Sequence, residues 1–260
     1  MIDLSIGFIG GGRVARILLG GWLSAAAMPP RVVVSDPSEV TLDILHARFP
    51  GTEVRVGANP RAALQDVVFL CVHPPIIGEV AAEIREHLRP DAVLVSLAPR
   101  VTIGHLATAL GGFDRIARVI PNAPSIVGAG FNPVSFGAGL PGPDRETVLS
   151  LLAPLGHSPV VDEAKLNAYA VLTAMGPTYL WFQLYELRDL ARSFGLEPEE
   201  AATGIDRMTS GALATMTRSG LSPTEVMDLI PVRPLGDFEA ELKAVYRARL
   251  GGVIERLRPT

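Results

Sequence analysis

The 260-residue sequence predicts an α/β fold, a mostly parallel doubly wound sheet followed by an all-helical domain, and three observations carry that reading. A short apolar strand ending at Ile9 turns through Gly10-Gly11-Gly12 into an apolar helical face beginning at Val14. Continuous apolar runs then alternate with helical stretches as far as residue 160, the pattern of strands buried on both faces. Beyond that point the strand signal stops and only helical periodicity remains. The expected division is 1–160 and 161–260.

The first element carries the most chemistry. Gly7-Phe8-Ile9 ends a strand beginning near Leu4, and Arg13-Val14 opens the helix. Gly10 permits a tight turn, and Gly12 lets a pyrophosphate approach the backbone with no Cβ in the way. Ala15 is small enough for the helix to pack on the sheet. Phosphate oxygens would meet unpaired N–H groups at the helix start, where the helix dipole favours negative charge. Glycine-rich turns are common, and the flanking strand and helix make this one the pattern of a Rossmann dinucleotide-binding domain. Residues 7–14 are therefore the expected cofactor cradle.

The second strand, Arg31–Ser35, ends at Asp36. An acid there can accept both ribose hydroxyls of an adenosine and repel a 2′-phosphate. The expected cofactor is NAD or NADP, with NAD preferred; Ser35 and Ser38 carry hydroxyls that can assist a phosphate. Asp36 can also simply start the turn before Pro37 or cap the next helix.

The remaining elements follow in order. Val40–Phe49 reads as a helix ended by Pro50-Gly51, Val54–Val56 as a short strand and Asn59–Leu64 as a small helix. Val67–Val72 reads as a strand stopped by Pro74-Pro75, before a helix over Ile76–Leu88. Ala92–Leu97 is a strand, Ile103–Leu110 a helix and Arg118–Ile120 a strand. Phe131–Phe136 and Val160-Val161 are expected to extend the sheet around a helix from about Arg145 to Ala153. Glu163–Arg192 reads as one long helix that Pro177 should bend or interrupt, followed by helices over Glu199–Arg218, Pro223–Leu229 and Glu239–Leu257. These last helices carry much apolar surface for so few layers, which predicts pairing with a second subunit as well as with each other; a helical cap that closes its own core is the alternative.

Composition narrows the function classes. A net charge of −4 without a long basic run argues against a nucleic-acid surface. Cys71 is the only cysteine, so no intrachain disulfide or cysteine zinc cluster can form, and a reducing cytoplasm is the expected location. No apolar run reaches membrane-spanning length, and the N-terminal glycines belong to a motif rather than to a signal peptide.

In such a fold the nicotinamide lies beyond the strand ends. Its expected wall is Cys71-Val72-His73-Pro74-Pro75, Ser96-Leu97-Ala98-Pro99 and Pro121-Asn122-Ala123-Pro124. His73 can exchange a proton near neutral pH, or stack on the cofactor, hydrogen-bond its ribose or cap the strand without proton transfer. Asn122 can present its amide to a small-molecule substrate or tie down its own turn. Cys71 reads as core rather than nucleophile. Gly176-Pro177-Thr178-Tyr179 breaks the long helix, where Thr178 and Tyr179 can donate hydrogen bonds, or where the kink merely fits helices together. The other histidines are scattered, and no metal is assigned.

With these residues the chain resembles the pyrroline-5-carboxylate reductase family over nearly its whole length. The matching stretches are Gly7–Gly12, Arg118–Pro124 with Val127-Gly128-Ala129-Gly130, and Gly176–Tyr179. The resemblance implies a Rossmann domain followed by a helical dimerisation domain, with larger rings built from dimers. It also implies hydride transfer from NAD(P)H to the C=N carbon of 1-pyrroline-5-carboxylate, giving proline. A protonated imine is already electrophilic, so positioning supplies much of the effect and no strong side-chain acid is required.

Several positions depart from the family pattern. His73 stands where lysine is usual, Ala98-Pro99-Arg100 replaces an alanine-glycine run, and Met175 replaces the serine before Gly176-Pro177. Pro231–Gly236 lacks the family's glycine-glycine-threonine-threonine run, which helps hold the substrate carboxylate; Arg233 can replace it or form a surface ion pair. The implied substrate contacts are Met175, Gly176, Pro177, Thr178 and Arg233. Two other readings stay open: a reductase or dehydrogenase of another imine or carbonyl, and a noncatalytic dinucleotide-binding regulatory protein.

Overall fold

The computed structural model describes residues 4–257. Its parallel core consists of β1 (Ser5–Ile9), β2 (Arg31–Asp36), β3 (Glu53–Val56), β4 (Val67–Leu70), β5 (Val93–Ser96) and β6 (Ile116–Val119). The intervening helices are α1 (Arg13–Ser24), α2 (Glu39–Arg48), α3 (Asn59–Ala63), α4 (Ile77–Ile84) and α5 (Ile103–Ala109). A short strand, β7 (Gly130–Phe131), precedes β8 (Val134–Phe136), α6 (Gly142–Leu152) and β9 (Gly156–His157). The main sheet runs β3-β2-β1-β4-β5-β6-β8, parallel throughout except for β8, which pairs antiparallel with β6. The strand order reverses between β1 and β4, the switch point at which such sheets open a ligand crevice.

Side-chain alternation builds a core on each face. Ile6, Phe8, Val32, Val34, Val67, Phe69, Val93 and Val95 face one way, toward α1, α2 and α6. Ile9, Val33, Val68, Leu70, Leu94 and Ile116 face the other, toward α3, α4 and α5. Phe8 stacks on Phe69 with ring centroids 5.0 Å apart, and Trp22 meets Phe69 edge-on at 5.8 Å. The Trp22 indole N–H donates to Leu151 O at 2.7 Å, so its burial leaves no polar group unpaired.

Two expectations about the elements need correction. The segment Phe131–Phe136 does not extend the sheet as one strand: β7 leaves to pair with β9 in a separate two-stranded ribbon, and only β8 joins the main sheet. Val160 adds a single bridge to Val134. Nor is Glu163–Arg192 one helix: of the two expected effects of Pro177, bending or interruption, it has the interruption, and the stretch before it is itself divided. A 3-10 turn (Glu163–Lys165) leads into α7 (Leu166–Tyr169), then a π-helical turn (Ala170–Ala174), and a new helix, α8 (Pro177–Ser193), starts at the proline. Pro177 has no N–H to continue the ladder, and the preceding turn widens so that Met175 N–H reaches Ala170 O at 3.1 Å.

Helices α9 (Pro198–Arg218), α10 (Pro223–Asp228) and α11 (Glu239–Leu257) complete the chain. By contacts the chain forms two compact units, one of the described residues through Met175 together with those from Val253, the other Gly176–Gly252. In the second unit α8 and α10 bury no residue and α9 only Ala201, while Phe182, Phe194, Met216, Ile230 and Phe238 lie exposed. Among the described residues, no helix is long and apolar enough to cross a membrane.

Candidate functional site

The glycine turn is shaped by two contacts. Gly10 has φ +100°, and a Cβ there would stand 2.7 Å from Cys71 O, so only glycine fits between β1 and the end of β4. Its N–H donates to Ser35 O at 2.7 Å, fixing the turn against β2. A Cβ on Gly12 would meet nothing within 4 Å, so the space beside it is open. Gly12 is the N-cap of α1, no side chain caps that helix, and its first turn holds no acid. The leading amides of Arg13 and Val14 therefore meet no side-chain cap and face the open side of Gly12, a geometry that fits an anion.

Asp36 closes the turn. Its Oδ2 accepts from Gly11 N–H and its Oδ1 from Ser38 N–H, both at 2.8 Å, which orients the carboxylate and leaves each oxygen a further lone pair. Ser35, expected to reach the cofactor, is instead fully buried on the opposite face of β2, where its hydroxyl donates to Asn59 Oδ1 at 2.8 Å. Asn59 in turn donates to Glu83. Ser38 accepts from Thr41 N–H and caps α2. Both serines are thus engaged in holding the fold.

The residues expected to wall the nicotinamide fall at the ends of β4, β5 and β6. Cys71 N–H donates to Ile9 O at 2.8 Å, and burial pushes its thiol up, so the sulfur stays protonated as a packing group. Val72 is half-buried. His73 is exposed and stands before a 3-10 turn over Pro74–Ile76, with no side-chain bond to that turn. Ala98 is buried, and its carbonyl accepts from Arg118 Nε at 3.4 Å.

Asn122 is placed as a clamp. Its Oδ1 accepts from Phe131 N–H at 2.9 Å and its Nδ2 donates to Thr173 O at 3.2 Å, tying the end of β6 to the π-helical turn. One amide hydrogen remains for a ligand. Of the two roles open in the sequence, the structure shows the turn-fastening one.

Sequence reasoning missed a buried cation. Arg118, on β6, is 1% exposed. Besides Ala98 O it donates to Glu163 Oε1 at 3.1 Å and Asn167 Oδ1 at 3.0 Å. Glu163 Oε1 also accepts from Ile103 N–H at 2.7 Å, and Asn167 donates to Leu257 O at 2.7 Å. Burial pulls the guanidinium down from its ordinary value and Glu163 opposes that shift. The network binds the loop after β5 to α5, α7 and the last turn of α11. Its only sequence signal was an arginine inside an apolar strand.

In the second unit, Thr178 and Tyr179 line an apolar cavity of about 740 Å³ with Phe182, Leu235, Phe238 and Tyr246. Tyr179 meets Tyr246 edge-on at 6.1 Å; burial, then the neighbouring Tyr246, raises its phenol above the ordinary value, so it is a neutral donor. Gly176 and Pro177 start α8, while Met175 ends the first unit. Arg233 donates to Met227 O at 2.6 Å. Among the described residues, no three His, Cys, Asp or Glu side chains group to hold a metal ion.

The sheet, the switch point and the uncapped helix behind Gly12 define an oxidoreductase class built on a dinucleotide-binding domain. Residues 5–100 match the family described as NADP oxidoreductase coenzyme F420-dependent. The chain is 29% identical over 230 residues to the pyrroline-5-carboxylate reductase of Escherichia coli, covering 88% of this chain and 85% of that one. It resembles the solved pyrroline-5-carboxylate reductase of Coxiella burnetii at 26% identity and TM-score 0.74, covering 99% and 100% of the two chains. The Plasmodium falciparum pyrroline carboxylate reductase, solved with NADP bound, gives TM-score 0.80 at 21% identity over 99% and 96%. Over most of its length the chain is similar to pyrroline-5-carboxylate reductases, in sequence and in fold.

Proposed function

We propose that this protein reduces the C=N bond of 1-pyrroline-5-carboxylate to give proline, with NADH as the preferred reductant. The observation that carries this is the open, uncapped cradle at Gly12 in a chain whose relatives over most of its length are pyrroline-5-carboxylate reductases. When bound, the dinucleotide supplies a hydride at the nicotinamide C4. Gly10, Gly11, Gly12, Arg13 and Val14 hold the pyrophosphate by backbone amides. Asp36 accepts the adenosine ribose hydroxyls with its remaining lone pairs. The loops at Val72-His73-Pro74, Ala98 and Asn122 seat the nicotinamide, orient the imine and exclude water. An imine that arrives protonated is already electrophilic, so positioning carries much of the effect.

The NADH preference rests on Asp36. A 2′-phosphate would face its carboxylate, while the Ser35 hydroxyl already donates to Asn59. Initial rates with 1-pyrroline-5-carboxylate should show kcat/KM for NADH exceeding that for NADPH by about tenfold. Asp36→Ser should bring the two within about threefold. Absence of turnover with either cofactor would refute the function, and a wild-type preference for NADPH would refute the role of Asp36.

A homodimer fits the second unit, whose helices bury almost none of their own apolar side chains. A second copy of the same helices would cover that face, and larger assemblies can follow from dimers. Sedimentation velocity should give a species of twice 27.6 kDa or more; a monomer at micromolar concentration would contradict it. We place the enzyme in the cytoplasm, where its lone cysteine stays reduced; secretion to the periplasm in a fractionation experiment would contradict this.

A further inference from the structure

Two residues other than glycine have positive φ among the described residues, Ala26 at +51° and Arg100 at +77°. Ala26 follows α1 and belongs to its ending, where Ala27 N–H returns to Trp22 O at 2.8 Å. Arg100 ends no helix. It lies between β5 and α5, and both flanks of its loop are anchored: Leu97 N–H donates to Leu70 O at 3.1 Å, Ala98 O accepts from Arg118, and Ile103 N–H donates to Glu163. Glycine adopts this backbone freely and arginine does not. The Arg100 side chain gives nothing back to the fold: it is exposed and forms no hydrogen bond or ion pair with any described residue. A strained backbone that serves no packing purpose points to use by a ligand.

Position and charge indicate which ligand. β5 lies between β4 and β6, so Arg100 stands in the loop flanked by those of His73 and Asn122. Over residues 71–75, 96–100 and 121–124 it is the single permanently charged side chain. The glycine turn follows β1, two strands away and about 10 Å across the sheet, where backbone amides already serve the pyrophosphate. We propose that the Arg100 guanidinium binds the carboxylate of the imine substrate, a planar anion that its donor fork matches. This inference rests on the imine-reductase reading. It gives the substrate a cation in a chain whose Pro231–Gly236 segment lacks the family's carboxylate-binding run.

The test compares wild type, Arg100→Ala and Arg100→Gly with 1-pyrroline-5-carboxylate and with 1-pyrroline, which lacks the carboxylate. Both variants should lose about 10- to 100-fold in kcat/KM for the acid, mainly through KM. Turnover of 1-pyrroline and the NADH dissociation constant should stay within about twofold of wild type. Arg100→Gly should melt at or above the wild-type temperature, because glycine relieves the backbone, which separates lost binding from lost folding. Unchanged kinetics for the acid, an equal loss for 1-pyrroline, or weakened NADH binding would each overturn the proposal. A wild-type protein inert toward both imines would overturn the function itself, and this inference with it.

Discussion

Replacing Gly12 with valine is expected to abolish useful NADH binding while leaving the protein folded. The wild-type backbone there has φ −69° and ψ −156°, extended values that valine accepts, and a Cβ would touch nothing within 4 Å. That open volume is where the pyrophosphate must lie to reach the first amides of α1. A branched side chain would displace it and forfeit two or three charge-assisted hydrogen bonds, each contributing about 1.5–3 kcal/mol. The NADH dissociation constant should rise at least about 100-fold. The cost to folding is confined to a poorer N-cap residue, about 1 kcal/mol, or a melting shift of about 2–4 °C. Fluorescence titration and thermal melting check the pair; tight NADH binding in this variant would show that the pyrophosphate lies elsewhere.

Arg118→Met should have the largest effect on stability of any change outside the apolar cores. It removes a buried cation and strips partners from Glu163, Asn167 and Ala98 O together. Truncating one side of a buried, hydrogen-bonded pair costs about 3–5 kcal/mol. Glu163 is 29% exposed and can recover some water, which places the expected loss near the lower bound. The melting temperature should fall by about 6–12 °C. Arg118→Lys should restore only part of it, since one ammonium cannot span three acceptors as a planar guanidinium does. A melting shift under about 2 °C for Arg118→Met would mean that the network is dispensable.

What was legible in the sequence was local. Gly10, Gly12 and Ala15 announce their roles because a turn, an open face and a close packing contact depend on a few neighbours in the chain. Continuous runs such as Val67–Leu70 announce buried parallel strands for the same reason. Ser35 was misread although parity along β2 could have corrected it: Ser35 shares a face with Val33, away from Gly11, whereas Asp36 shares one with Val34 and closes on the turn. The π-helical turn before Pro177 and the partners of Arg118 and Asn122 depend on residues tens of positions away, which no spacing rule reaches. Arg100 is the intermediate case. An arginine at a glycine-like position was visible in the sequence, but its meaning emerged only with its φ.

The most direct measurement traces the hydride. The protein would be incubated with 1-pyrroline-5-carboxylate and NADH deuterated at both C4 positions, and the product analysed by mass spectrometry. The expected product is proline carrying one deuterium, located at C5, formed in step with NADH oxidation. Proline without deuterium, or no proline from a protein that binds NADH, would contradict it.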